Sequence, residues 1–132
     1  MADYAVKKID DMEAVFLGSF KRARAELGVS SFGIQVMDLP ANLEQYPEHD
    51  HADDGQEEVY VVLRGKAEID IEGERIPIDP ETIVRVSSGT KRKIYTGDEP
   101  VRLLALGGVP GKTYEPPDVS KLGEPDPMAS SD

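Results

Sequence analysis

The chain has 132 residues, of which 15 are basic and 26 acidic, so its formal net charge at neutral pH is −11. This length suits one domain with its own core, and so negative a field disfavours binding to nucleic acid or to an anionic membrane surface. Because the chain has no cysteine, it can form neither disulfides nor a thiolate zinc site, and imidazole and oxygen are the metal ligands that remain.

Residues 1–29 are expected to form an N-terminal arm that ends in one short helix. Ser19 is a suitable N-cap for a helix that starts at Phe20, because its hydroxyl can accept a bond from the first turn. The following residues are good helix formers, and Gly28 is a typical stop. We therefore predict a helix between Ser19 and Gly28.

Residues 30–110 carry β-type patterns almost throughout. Apolar residues alternate from Phe32 to Val36, and residues 59–63 are apolar at every position, which is typical of a strand buried on both faces. The alternating segments 66–72 and 75–78, with Gly73-Glu74 between them, predict a hairpin. Three further short strands are expected at residues 82–86, 91–96 and 101–106. Many short strands and one helix favour an all-β sandwich or barrel.

The C-terminal segment, residues 111–132, has few core-forming residues and several prolines. We expect it to be a flexible or loosely attached tail. The chain has no apolar run near the roughly 20 residues of a membrane span, and Met1 to Tyr4 have no signal-peptide pattern. A cytoplasmic location is therefore expected, with no membrane or nucleic-acid partner.

The two histidines of the chain, His49 and His51, lie two residues apart and just before the acidic pair Glu57-Glu58. On an extended backbone, residues two apart point to the same side, so both imidazoles can converge on one point. A carboxylate from a neighbouring strand could join them, and this set of ligands suits a divalent metal. Exposed residues in a polar loop are the alternative for this motif.

The segment from His49 to Gly65 resembles the first conserved motif of the cupin superfamily, which has a His-x-His pair, then a Glu, six residues and a Gly. Glu58, followed by six residues and Gly65, matches that spacing. The resemblance covers residues 30 to 107 and implies a double-stranded β-helix, or jelly-roll, barrel. It also implies that His49, His51 and Glu58 bind a divalent metal such as Fe, Mn, Zn or Ni in the barrel mouth. The loop between His51 and Glu57 is longer than is usual in the family, so Glu57 remains an alternative carboxylate.

The second cupin motif is incomplete, because Arg92 stands where the resemblance would place a third histidine. Arginine stays charged and is not a metal ligand. A dication about 5 Å from a guanidinium would be repelled by roughly 6 to 7 kcal/mol at an effective dielectric of about 20. Arg92 therefore either turns away from a metal or replaces it by pairing with Glu58.

Three functions follow from these alternatives. The first is a small cupin that binds a divalent metal, a small anionic ligand or both in the barrel mouth, without a reaction of its own. The second is a metal-dependent enzyme of the dioxygenase or isomerase type, in which Arg92 orients an anionic substrate. The third is a metal-free structural cupin with a Glu58–Arg92 ion pair.

Two further residues and one partner complete the sequence-based expectations. Tyr60 and Arg64 share parity with Glu58 along the predicted strand, so we expect both to line the same interior with Arg92 and to contact a ligand. The apolar run from Val59 to Leu63 would suit burial against a second copy of the chain. We therefore expect a homodimer.

Overall fold

The computed structural model describes residues 2–43 and 46–128 and consists mainly of antiparallel strands. The strands are β1 (Ala14–Val15), β2 (Phe20–Lys21), β3 (Gly33–Leu39), β4 (Glu57–Arg64), β5 (Ala67–Ile71), β6 (Glu74–Ile78), β7 (Ile83–Val86), β8 (Arg92–Thr96) and β9 (Val101–Gly108). One α-helix, α1 (Ala23–Leu27), and two 3₁₀ turns, Ile9–Asp11 and Asp118–Ser120, complete the described elements.

The strands form two sheets that enclose one apolar core. The larger sheet has the order β1-β2-β3-β9-β4-β7, and the smaller has the order β6-β5-β8. The core lies between them and includes Tyr60 and Leu103 of the larger sheet and Ile69 and Ile94 of the smaller, each at most 1 % exposed. This arrangement confirms the predicted all-β jelly-roll barrel with one short N-terminal helix.

The predicted hairpin is present as β5 and β6, with its turn one residue earlier than expected. Glu72 and Gly73 occupy the turn, with φ angles of 52° and 89°. Two successive residues of positive φ match the right-handed twist of the strands that they join. The register pairs Ile71 with Glu74 and Ile69 with Ile76, which places both isoleucines of β5 on one face.

The predicted helix begins later than expected, at Ala23. Phe20 and Lys21 instead form β2, which pairs with β3, so tertiary pairing outweighs their local helix preference. Ser19 is not the N-cap of α1, because Arg22 occupies that position. The Ser19 hydroxyl instead donates to the Phe16 carbonyl. The predicted stop is confirmed: Gly28 has a φ of 77° and its N–H closes the last turn.

Strand β4 is buried on one face, contrary to the expectation of burial on both. Tyr60 and Val62 point into the core and are 1 % exposed. Val59 and Val61 on the other face are half-buried, and Leu63 is 40 % exposed. The apolar run therefore supplies a core face and an outer face that this single chain leaves partly uncovered.

The segment after residue 110 makes specific contacts with the N-terminal arm as far as Asp126, which differs from the expectation of a loose tail. Arg22, only 1 % exposed, donates to the carbonyls of Val119 at 2.8 Å and Glu124 at 2.7 Å, and pairs with the Glu13 carboxylate at 2.9 Å. A buried guanidinium needs such acceptors, so Arg22 ties both ends of the chain together. Residues 129–132 of the predicted tail lie outside the described residues, and the domain boundaries stay a prediction.

The structure explains why glycine occupies position 65 of the motif, and a comparison with Gly73 tests this explanation. Both Gly65 and Gly73 have φ near +90°, but a Cβ at Gly65 would lie 2.8 Å from the Pro100 carbonyl oxygen, whereas one at Gly73 would meet nothing within 4 Å. We expect Gly73→Ala to lower the free energy of unfolding by about 1 kcal/mol through backbone strain alone, and Gly65→Ala by about 2 to 4 kcal/mol. Urea unfolding of the two variants checks this, and equal losses would contradict the role given to the Pro100 contact.

Candidate metal centre

The candidate site lies where the loop that carries His49 and His51 faces the first residues of β4. This loop is attached to the smaller sheet, and β4 belongs to the larger one. His49 and Arg92 exchange two backbone hydrogen bonds of 2.9 Å, so the loop extends the smaller sheet beyond β8. The His51 N–H donates to the Ser88 carbonyl at 2.7 Å and fixes the second histidine. Glu58 comes from the opposite sheet, where it pairs with Gly107 and Val86. The barrel therefore brings ligands of both sheets together.

The three predicted metal ligands converge as the sequence indicates. His49 Nε2 lies 3.6 Å and His51 Nε2 lies 3.1 Å from Glu58 Oε1, and one ligand atom of each residue lies within 4.8 Å of the other two. A metal about 2.1 Å from each ligand atom holds neighbouring ligand atoms about 3.0 to 3.4 Å apart. The cluster therefore has the ligand types and nearly the spacing to hold one divalent metal ion.

The outer nitrogens of the two imidazoles are engaged by acceptors, which leaves the inner nitrogens facing the carboxylate. His49 Nδ1 lies 3.2 Å from the carbonyl of Pro47, and His51 Nδ1 lies 3.1 Å from the carboxylate of Asp54. Because a carbonyl can only accept, His49 Nδ1 carries the proton, and in the neutral ring Nε2 then has a lone pair directed at Glu58. Two acceptors face each other there, and only a proton or a metal ion between them removes the conflict.

Glu58 is surrounded by hydrogen-bond donors on both oxygens. The Tyr60 hydroxyl donates to Oε1 at 2.7 Å, and Gln56 Nε2 donates to Oε2 at 3.3 Å. Burial by itself would raise the pKa of Glu58, but the close approach of His49 and His51 and the hydrogen bond from Tyr60 outweigh it and hold that pKa well below its usual range. The carboxylate is therefore ionised and ready to bind a cation.

The pKa values of the neighbouring groups fit this arrangement. The hydrogen bond to Glu58 raises the pKa of His51, although burial opposes the shift. Burial, with the Glu58 charge nearby, raises the pKa of Tyr60 and of Tyr46 above the usual value of a phenol. Both tyrosines are therefore neutral around pH 7.

Arg92 occupies the interior beside this cluster and is 0 % exposed. Its Nη2 lies 3.4 Å from Glu58 Oε1, and its Nη1 donates to the Thr90 carbonyl at 2.9 Å. Within the described residues, Nε and Nη2 have no hydrogen-bond acceptor of good geometry. Arg92 is therefore a buried cation with unused donors, next to the carboxylate that a metal would share.

The structure distinguishes between the two adjacent carboxylates and between the other predicted site residues. Glu57 points outward and pairs with Arg85 at 3.5 Å, so Glu58 is the member of the cluster. Tyr60 lines the interior as expected. Arg64 does not, because a bulge after Val62 pairs it with Arg102 on the outer face. Whether Arg92, Tyr60 or Arg64 contacts a ligand stays a prediction.

Three side chains of the site were missing from the sequence-based set. Asp54 orients His51, Gln56 contacts Glu58, and the Tyr46 ring lies 6.0 Å from the His49 ring. Gln56 could have been found, since it precedes Glu58 by two residues and shares its face. Asp54 could not, because the long loop turns back through a bond from the Gly55 N–H to the His51 carbonyl. The longer loop thus brings Asp54 into contact with His51.

A cavity of about 450 Å³ adjoins the cluster on the side of Asp54 and Gln56. Lys112, Tyr114 and Glu115 form other parts of its wall. Asp54 and Gln56 are the residues that contact His51 and Glu58, so the cavity reaches the outer edge of the candidate metal centre. His49, His51 and Glu58 themselves do not line it.

Comparison with known proteins agrees with this geometry. The model of the cupin domain family matches residues 35–107, which is more than half of the chain. This chain therefore belongs to the cupin family. No curated protein sequence matches the chain.

Solved structures show the same fold at low sequence identity. A cupin protein from Bacteroides fragilis is 24 % identical with a TM-score of 0.67, over 89 % of this chain and 93 % of that one. The cupin domain of an XRE family transcriptional regulator from Enterobacter cloacae is 23 % identical with a TM-score of 0.55, over 63 % and 86 %. The cupin domain of Cnp3 from Schizosaccharomyces pombe is 24 % identical with a TM-score of 0.54, over 60 % and 56 %. At these identities the likeness concerns the fold alone.

Among the described residues, no helix has the length and apolar character needed to cross a membrane.

The role of Asp54 can be tested with its neighbour Asp53 as a control of equal charge. We expect Asp54→Ala to weaken zinc binding by about 10- to 100-fold, because the His51 ring loses the acceptor that orients it. Asp53→Ala removes the same charge from the loop and should leave the affinity nearly unchanged. Competition titration with a chromophoric chelator measures both, and equal losses would attribute the effect to general charge.

Proposed function

We propose that this cupin binds one divalent metal ion through His49, His51 and Glu58 and a small anionic ligand beside it. The observation that carries the proposal is the convergence of two Nε2 atoms on one carboxylate oxygen while acceptors hold both Nδ1 atoms. Metal-binding histidines are commonly oriented in this way by a second partner. The bound metal would supply Lewis acidity, with Fe, Mn, Zn and Ni as the expected ions.

An anionic ligand is supported by the positive charges near the cluster. Arg92 has two buried nitrogens without a good acceptor among the described residues, and Lys112 lines the adjoining cavity. Glu58 alone cannot balance both a dication and a guanidinium. A ligand carboxylate or phosphate would offset the remaining positive charge. Catalysis of a dioxygenase or isomerase type at this site stays a prediction, as does a cytoplasmic location.

A metal-free cupin is the second candidate, supported by the 3.4 Å approach of Arg92 to Glu58. In this alternative the ion pair occupies the interior and the carboxylate has no further cation to bind. The two candidates differ in the effect of removing Arg92. Loss of the guanidinium would relieve repulsion of a metal in the first, and would leave a buried carboxylate without its cation in the second.

Elemental analysis after loading with Fe, Mn, Zn or Ni tests the metal site. We expect about one metal per chain in the native protein and in Glu57→Gln, and far less in His51→Ala and Glu58→Gln, because only the latter two remove a ligand. Arg92→Met should then bind metal more tightly than the native protein.

The contrary result would be absence of metal from the native protein under all loading conditions. If Arg92→Met also lowered the free energy of unfolding by about 3 to 5 kcal/mol, the metal-free ion pair would be favoured. Circular dichroism of each variant confirms that a loss of metal does not simply reflect unfolding.

We also propose that the chain forms a homodimer through the outer face of β4 and β7. Ile83, which is 71 % exposed, pairs with Val61 at the edge of the larger sheet, and Leu63 lies further along β4. An uncovered apolar face at a sheet edge favours association with a second copy.

Sedimentation analysis tests the dimer. We expect a species of twice 14.4 kDa for the native chain at high concentration. Ile83→Lys should shift it to the monomer, because a charge would be buried without a partner. Leu122→Lys alters an exposed apolar residue outside both strands and should leave the dimer intact. A monomeric native chain would contradict the proposal.

A further inference from the structure

A second and larger cleft, of about 810 Å³, opens between the barrel and the N-terminal hairpin, which is formed by β1 and β2. Its walls are mainly apolar. They include Phe16 and Leu17 from the β1–β2 turn, Met37 and Leu39 from β3, and Tyr46. A cleft of this volume falls within the usual range for small-molecule sites, roughly 300 to 1,000 Å³.

This cleft is distinct from the candidate metal centre. Arg64, which lies at its rim, follows Glu58 by six residues on β4, a distance of about 20 Å at about 3.3 Å per residue. Two wall residues also approach the histidine cluster: the Tyr46 ring lies 6.0 Å from that of His49, and the Pro47 carbonyl lies 3.2 Å from His49 Nδ1. No metal ligand lines the cleft.

Two arginines line the cleft, Arg102 and Arg64, and among the described residues only Arg102 forms ion pairs. Arg102 is fully engaged, with bonds of 2.7 and 3.0 Å to the Asp38 carboxylate and one of 2.5 Å to Asp10. Lys21 also approaches Asp38, at 3.8 Å. Arg64 forms no such contact, although its charge is near enough to help lower the pKa of both Asp10 and Asp38. It is exposed, and it has no ion-pair partner within 4.0 Å in residues 2–43 and 46–128.

The turn at the apolar rim is stabilised by a specific contact. Phe16 and Leu17 have φ angles of 54° and 57°, which are unfavourable for residues with a Cβ. The Asp126 carboxylate accepts both of their N–H groups, at 2.9 and 3.0 Å, and stabilises this turn. Leu17 remains 72 % exposed at the edge of the cleft. The turn therefore keeps an apolar side chain in contact with water at the rim of the cleft.

We propose that this cleft binds a small amphipathic monocarboxylate. The hydrocarbon or aromatic part lies on the apolar wall, and the carboxylate pairs with the Arg64 guanidinium. The apolar wall favours burial of hydrocarbon, while the single unpaired cation at the rim selects an anion over a neutral molecule of the same shape. The bulge that moves Arg64 out of the barrel interior places it at this rim.

Calorimetric titration with octanoate tests the proposal, with octanol as the neutral probe of similar shape. We expect saturable binding of about one octanoate per chain, and at least about tenfold weaker binding of octanol, because a charge-assisted contact is lost. Arg64→Gln should weaken octanoate binding by a similar factor and leave octanol binding unchanged. Arg85→Gln removes an exposed arginine elsewhere on the larger sheet and should have no effect.

Two further variants separate this cleft from the metal centre. Leu17→Glu adds a negative charge at the exposed rim and should weaken octanoate binding at least about tenfold by repulsion. His51→Ala alters the metal centre and should leave octanoate binding unchanged. Three results would overturn the proposal. The native chain shows no saturable octanoate binding, or it binds octanol as tightly as octanoate. The third is that His51→Ala loses octanoate binding while Arg64→Gln retains it. None of these results bears on the proposed metal site, which elemental analysis tests separately.

Discussion

The environment of one carboxylate oxygen, Oε1 of Glu58, governs the chemistry of this protein. Two imidazole nitrogens, a phenol and a guanidinium all lie within 3.6 Å of it. A charge placed in a barrel interior is costly unless it is paired and hydrogen-bonded. Tyr60 shares the strand of Glu58, whereas the two histidines and Arg92 come from the side of the facing sheet, so the barrel must be assembled before the carboxylate is satisfied.

The charge balance around Glu58 links the metal, Arg92 and a ligand. Glu58 and Arg92 together are neutral when no metal is bound. A divalent ion between the histidines and the carboxylate would leave the interior with an excess of about two positive charges. An anion entering through the cavity at Gln56 and Lys112 would reduce that excess. Metal binding and anion binding should therefore favour one another at this site.

The segments outside the barrel build the second feature of the molecule. Arg22 holds the arm and the C-terminal segment together through two carbonyls and the Glu13 carboxylate, and Asp126 fixes the strained turn at Phe16 and Leu17. These contacts position the hairpin that forms one wall of the large cleft. The barrel therefore carries the candidate metal ligands, while its N- and C-terminal additions shape a separate apolar surface.

The sequence by itself determined the strand pattern, the barrel and the first set of ligands. Alternation and turn residues are local properties, so the hairpin of β5 and β6 and the stop at Gly28 were predictable from short segments. The resemblance of the segment from His49 to Gly65 to the first cupin motif indicated which histidines and which acid converge. From the sequence, only the number of residues before Gly65 favoured Glu58 over Glu57 as the carboxylate. The structure gives the physical reason, because Glu58 faces the barrel interior and Glu57 faces outward.

Only the tertiary structure decided the features that depend on distant pairing. The helix started late because Phe20 and Lys21 pair with β3, and Arg64 left the interior because a bulge changed its face. Asp54 reaches His51 through a loop that folds back, and Arg22 is buried by carbonyls about 100 residues further along the chain. Each of these contacts joins residues whose proximity arises from the folded backbone, and no local pattern encodes it.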